Sequence, residues 1–442
     1  MTETSNSIAA IRGQFLDFTD VIDSPSELEK MLRHFEDGLL LLRNGHIEWF
    51  GAWEEGKSKI PENCSIQHYP DKLIVPGFVD THIHYPQAEI VGAYGEQLLE
   101  WLDNYAFPAE KQYKDKEYAA KMADFFIDQL LRNGTTTAMV FCTVHPESVE
   151  ALFSAAEKRS MRIIAGKVMM DRNAPDYLLD TPESSYNESK KLIEKWHKRG
   201  RLLYAITPRF APTSTAEQLE MAGKLKSEFP DTYVQTHLSE NHDEVEWVKE
   251  LFPEQENYLD VYHHHGLTGS RSIFAHCIHL EEKEWDCLHK TDSAIAFCPT
   301  SNLFLGSGLF KLDHAWDKRV KVGMATDIGG GTSFNMLQTS GEAYKVMQLQ
   351  KQKFSAYEAF YLATLGGAKT LSLDHLIGNF NIGKEADFVV LDPVATTLQE
   401  KRLEKSKNVA DSLFSLIILG DDRSIFHTWV NAERVYKREK NE

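Results

Sequence analysis

Between residues 78 and 327 the chain repeats one pattern eight times: a short apolar run that ends in polar residues, usually followed by a segment with helical periodicity. The runs are 78–82, 136–142, 162–171, 202–209, 232–237, 272–276, 294–298 and 321–327, with helical stretches at 115–133, 146–158, 184–199 and 215–228. Near-continuous apolar strands alternating with amphipathic helices form parallel sheets covered on both faces. Eight such units predict an α/β fold, a closed (β/α)8 barrel over residues 76–377. This span exceeds the ~250 residues typical of such barrels, and long loops, notably 85–114, account for the excess.

Both ends read differently. Short β-like pieces at 38–43, 46–50 and 72–75, with Asn44-Gly45 as a turn, are matched near the other end by 387–391 and 425–430. Neither set is large enough to be a stable sheet alone. Residues 1–75 and 378–442 are therefore expected to pair into one small β domain, to which the first 30 residues contribute no recognisable element.

Composition bounds the function. With 42% hydrophobic and 26% charged residues the chain is an ordinary folded protein. A net charge of −18 argues against a nucleic-acid-binding face and for a small, neutral or weakly charged substrate. No apolar run is long enough to span a membrane, and residues 1–18 lack a signal-peptide core. Five cysteines without a C-x-x-C pair fit a reducing, cytoplasmic setting.

Barrels carry their chemistry at the carboxyl ends of the strands. The first run ends in Asp80-Thr81-His82-Ile83-His84, and histidines at i and i+2 of an extended chain face the same way. The fifth ends in His237-Leu238-Ser239-Glu240, the sixth in Ala275-His276 and the eighth in Thr326-Asp327. A lone histidine is more often a satisfied polar group of the core. Five such groups on four strands meeting at one rim favour a metal site instead. Imidazoles with one carboxylate suit zinc or ferrous iron with a position open for water, whose acidity the cation raises. Other signals are weaker. His263-His264-His265 fits a solvated helix end, His279 fits a loop, and Gly329-Gly330-Gly331-Thr332 lacks the lysine of a phosphate loop and is expected to be a flexible segment behind Asp327. The H-E-x-x-H and P-C-x-x-C signatures of zinc peptidases and cytidine-type deaminases are absent.

Pro76-Gly77-Phe78-Val79-Asp80-Thr81-His82-Ile83-His84, together with His237, His276 and Thr326-Asp327, resembles the amidohydrolase superfamily. Within it, His84-Tyr85-Pro86-Gln87, Leu98-Leu99-Glu100-Trp101-Leu102, Phe107-Pro108-Ala109-Glu110, Thr207-Pro208-Arg209-Phe210 and His237-Leu238-Ser239-Glu240-Asn241 are similar to guanine deaminases, although Tyr85-Pro86 stands where small residues are the pattern. The resemblance implies a distorted (β/α)8 TIM-like barrel with a small β-sandwich from both termini. It implies His82, His84, His237 and Asp327 as ligands of one zinc ion per subunit, with ferrous iron the alternative. The fourth run ends without the lysine of binuclear members, which favours a mononuclear site. Glu240, Asp327 and His276 are the implied catalytic groups. Gln87, Trp101, Arg209 and Phe210 join His237, Glu240, His276 and Asp327 around the substrate. The segment 94–110 is a candidate lid.

The reaction so implied is hydrolysis of guanine to xanthine and ammonia, a step of purine catabolism, by a homodimer. Two residues have plainer readings: Arg209 as a structural ion pair, and Glu240 as a carboxylate at the start of helix 242–251. Two rival functions remain, another mononuclear aminohydrolase or chlorohydrolase acting on a different heterocycle, and a non-catalytic barrel used as a scaffold.

Overall fold

The computed structural model describes residues 8–94 and 97–439. Eight parallel strands form the barrel wall: Phe78–His84, Thr135–Phe141, Arg162–Gly166, Leu203–Pro208, Tyr233–Leu238, Ser272–His276, Ala294–Phe297 and Lys321–Met324. The third run is interrupted: Val168–Met169 forms a separate short strand paired with the fourth. Gly166 explains the break, because its backbone lies so close to Ala205 that a Cβ there would sit 1.7 Å from the carbonyl oxygen.

Side chains and one backbone bond, rather than a regular ladder, join the eighth strand to the first. Asp327 N–H donates to His82 O at 3.0 Å, Thr81 Oγ1 donates to Met324 O at 3.0 Å, and Asp80 accepts Thr326 N–H at 3.1 Å. The register of the first strand slips between Asp80 and Ile83. The irregular seam is thus where two of the histidines project.

Outside the wall, helices Lys116–Arg132, Pro146–Lys158, Pro182–Trp196 and Ala216–Glu228 turn their apolar stripes inward. Met122, Ala123, Phe126 and Leu130 in the first of these show the spacing that makes one buried face. Asp115, Thr181 and Thr215 cap helix starts by accepting backbone N–H groups that have no partner within the helix. Among the described residues no helix is long and apolar enough to cross a membrane.

The two ends pair into one seven-stranded mixed sheet, in the order Glu433–Lys437, Ile425–Val430, Phe388–Leu391, Ile66–Pro76, Ile8–Phe18, Leu32–Arg43 and His46–Ala52. Strand Ile8–Phe18, which the sequence did not announce, lies well inside this sheet, antiparallel to Leu32–Arg43 and parallel to Ile66–Pro76. Ile66–Pro76 leads through Gly77 directly into the first barrel strand. The half-buried ion pairs of Arg201 with Glu385 and Asp387 bind the sheet to the underside of the barrel.

Candidate active site

The carboxyl ends of the first, fifth, sixth and eighth strands meet around one cavity. At its floor the ring nitrogens converge. His84 Nε2 lies 3.2 Å from both His82 Nε2 and His237 Nε2, and Asp327 Oδ1 lies 3.2 Å from His82 Nε2 and 3.4 Å from His84 Nε2. Burial, reinforced by neighbouring cationic groups, pushes all three imidazoles well below their ordinary pKa, so the rings are neutral and their nitrogens free to take a cation.

The second nitrogen of His237 is committed: Nδ1–H donates to Arg209 O at 2.7 Å, which turns a bare Nε2 toward the cluster. Three bare or shared imidazole nitrogens and a carboxylate oxygen at such separations hold too few protons to bond one another. A cation such as zinc fits this donor set.

His276 and Glu240 stand on the opposite side. His276 Nε2 is buried without a hydrogen-bond partner, 3.4 Å from Glu240 Oε2 and 3.8 Å from Asp327 Oδ2. Burial, and then the charge of Asp327, pushes the Glu240 carboxyl up to about 8. Burial raises Asp327 to about 6, with His276 opposing the rise. Ser239, His276 and Asp327 all have positive φ, between 50° and 70°, without being glycine. Such backbone persists where packing holds side chains at a required angle.

The remaining walls come from Gln87, Leu98, Trp101, Leu102, Arg209, Phe210 and Leu305. Leu98–Trp101, a π-helical turn at Leu102–Ala106 and Phe107–Glu110 form the described part of segment 94–110, with residues 95 and 96 lying outside the described residues.

The sequence profile of the amidohydrolase family matches residues 73–435. This chain belongs to the amidohydrolase family.

Among the relatives of this amidohydrolase, guanine deaminase of Escherichia coli (strain K12) is 66% identical over 99% of this chain and 100% of its own. A solved structure of E. coli guanine deaminase superposes with a TM-score of 0.96, covering 98% of this chain and all of the other. The guanine deaminase from C. acetobutylicum, solved with guanine in its active site, is 29% identical with a TM-score of 0.86 over 97% of this chain and 100% of its own.

Every site residue expected from the amidohydrolase sequence lies at this cavity or, for His82, in the cluster at its floor. Arg209 pairs with Glu110, as the structural reading expected, and also lines the wall. Glu240 is separate from the helix cap: Asn241 caps helix His242–Leu251, and Glu244 accepts the backbone N–H groups of Glu240 and Asn241. Tyr85 points away from the cavity, donating to Ala119 O and packing on Tyr113, so its bulk does not narrow the pocket.

Of the segment 329–332 expected to be flexible, the three glycines form a buried turn, with Gly331 N–H donating to Asp327 O at 2.6 Å, and Thr332 is exposed. Three contributors escaped the sequence. Asp80 holds the seam, Asn302 accepts from His276 Nδ1 at 2.8 Å, and Ser307 Oγ donates to Glu240 Oε1 at 3.2 Å. No spacing rule marks Asn302 or Ser307; the only available signal is that both follow a barrel strand. Cys298 also lies near His82, His276 and Asp327, but burial holds its thiol protonated.

Proposed function

We propose that this chain hydrolyses guanine to xanthine and ammonia. The observation that carries the reading is the pairing of a neutral three-imidazole, one-carboxylate cluster with a proton-holding Glu240 in one small cavity walled by Arg209 and Phe210. The 66% identity to E. coli guanine deaminase along almost the whole chain supports it.

His82, His84, His237 and Asp327 would hold the cation, for which zinc is the proposed identity. When bound, it supplies an acidified water as the source of nucleophile near neutral pH. The chain's own groups do the rest. Phe210 covers one face of the purine, and Arg209 and Gln87 read its polar edge. His276 Nε2 and Asp327 Oδ2, 3.8 Å apart, take the proton released as water oxygen adds at C2. Glu240 carries its proton to the adjacent ring nitrogen, so negative charge does not build there. The proton taken up on the Asp327 side then passes to the amino group, which leaves as ammonia, while the C2 hydroxyl returns a proton to Glu240 and becomes a carbonyl. Trp101 and Leu102, buried residues of the covering segment 94–110, keep bulk water out.

The test is release of ammonia and xanthine from guanine by the purified protein, before and after chelation and after zinc is returned. Turnover that chelation abolishes and zinc restores is the expected result. A metal-loaded protein that leaves guanine intact overturns the substrate assignment.

A further inference from the structure

One buried carboxylate behind the cavity wall has no part in the steps above. Glu110 closes the segment Phe107–Glu110 and is fully buried. Arg209 Nη1 donates to its Oε1 and Oε2 at 2.8 Å each, and Gln87 Nε2 donates to Oε1 at 3.1 Å. We propose that Glu110 is the positioning residue that sets the hydrogen-bond polarity of the pocket's reading edge. It turns Gln87 Oε1 and the free N–H groups of Arg209 toward the ligand, so that the pocket selects a lactam edge, an N–H beside a C=O.

The orientation of Gln87 is decided by a competition. A carboxylate paired with a guanidinium offers only acceptors, so it demands the amide nitrogen of Gln87. That nitrogen also lies 3.4 Å from His84 Nδ1. An imidazole whose Nε2 serves the metal cluster carries its proton on Nδ1 and would rather meet the amide oxygen. The two demands oppose each other, and the shorter, charge-assisted contact to Glu110 prevails.

Gln87 lines the cavity, and with the amide so fixed its Oε1 lies at the cavity's edge beside Gly329, where a Cβ would come within 2.0 Å of it. Among the described residues Oε1 accepts no hydrogen bond, and Arg209 Nε and Nη2 donate none. An acceptor beside donors complements the N1–H and C6=O of a 6-oxopurine. A 6-aminopurine presents the reverse order, a bare ring nitrogen beside an N–H2, and leaves both wall groups facing their own kind. Sites built this way reject the mismatched ligand far more steeply than a pocket that judges shape alone.

This inference rests on the purine reading of the cavity, and its test reads binding rather than turnover. Dissociation constants of hypoxanthine, which has no 2-amino group to lose, and of adenine are measured on the metal-loaded protein. The wild type is expected to prefer hypoxanthine at least ~10-fold. Glu110→Gln can present N–H to Gln87 and release it to turn toward His84. The preference should then fall to within about threefold, with metal content unchanged.

Glu110→Asp, which keeps the carboxylate, should recover part of the preference. Gln87→Met should lose it even if Glu110→Gln does not fold. A wild type that binds both purines equally overturns the proposal. So does a Glu110→Gln protein that weakens both ligands alike and keeps their ratio, since Glu110 would then only brace the covering segment. Preference for hypoxanthine without release of xanthine from guanine would sink the proposed reaction and leave the edge assignment standing.

Discussion

His276 Nδ1 lies 2.8 Å from Asn302 Oδ1, so the ring proton sits on the nitrogen turned away from Glu240 and Asp327. The bond leaves Nε2 bare and facing the cavity, the form able to receive a proton. Asn302 sits in Pro299–Phe304, just after the seventh strand, and Ser307, three residues beyond that helix, braces Glu240. Asn302→Leu should lower kcat about ten- to a hundredfold through loss of tautomer control, with zinc content unchanged. Asn302→Asp, which keeps an acceptor, should recover most of it. A Leu variant with wild-type kcat would reduce Asn302 to packing.

Glu240 makes the chelated protein sensitive to pH. Its folded-state carboxyl lies near 8 against an ordinary 4.5, raised chiefly by burial. Below pH 4.5 folded and unfolded chains both hold the proton and there is no penalty. As pH climbs toward about 8 the unfolded chain releases its proton first, so stability falls across that window and levels off above it. Glu240→Gln should flatten that slope in the melting temperature of the metal-free protein. In the metal-loaded protein the same change should cut kcat by about a hundredfold or more. Equal slopes, or wild-type turnover, would remove Glu240 from the proton path.

Trp101 is 2% exposed, and its indole Nε1 is buried without a partner at the cavity wall. Trp101→Ala opens the roof and should reduce turnover while metal content and binding of zinc stay at wild-type levels. Unaltered kinetics would mark the covering segment as packing alone.

Gly331 offers a test of the metal cluster from outside it. A Cβ at this position would meet Thr326 O at 1.9 Å and Asp327 O at 2.7 Å. The backbone carrying Asp327 must then move, so Gly331→Ala should lower zinc occupancy in metal analysis and activity in proportion. Full occupancy in a normally active variant would show that the turn yields without disturbing Asp327.

The legibility of this fold follows from how local its signals are. Strand ends that carry His82, His84, His237 and Asp327 could be read because apolar runs and polar termini are adjacent in sequence. Helix Pro146–Lys158 has the expected bounds because its stripe and its opening proline act within a few turns. Strand Ile8–Phe18 could not be found that way. Its alternation is broken by Gly13 and it takes its identity from partners at Leu32–Arg43 and Ile66–Pro76. Asn302 and Ser307 were hidden for a related reason: their partners, His276 and Glu240, lie at the ends of other strands, and neither a short helix nor a loop carries a readable period. The glycines after Asp327 suggested mobility, whereas Gly331 is required by close backbone packing and Gly329 by its positive φ and its contact with Gln87.

The sheet built from both termini constrains the order of synthesis. Pro76 and Phe388 are register partners, so one edge of strand Ile66–Pro76 must wait until the far end of the chain has emerged. At ~5–20 residues per second, the last barrel strand, ending at Met324, precedes Phe388 by only a few to about 13 seconds. The nascent chain therefore passes through a stage with a finished catalytic wall and an open strand edge, the stage most prone to pairing with a neighbour and most dependent on chaperone protection.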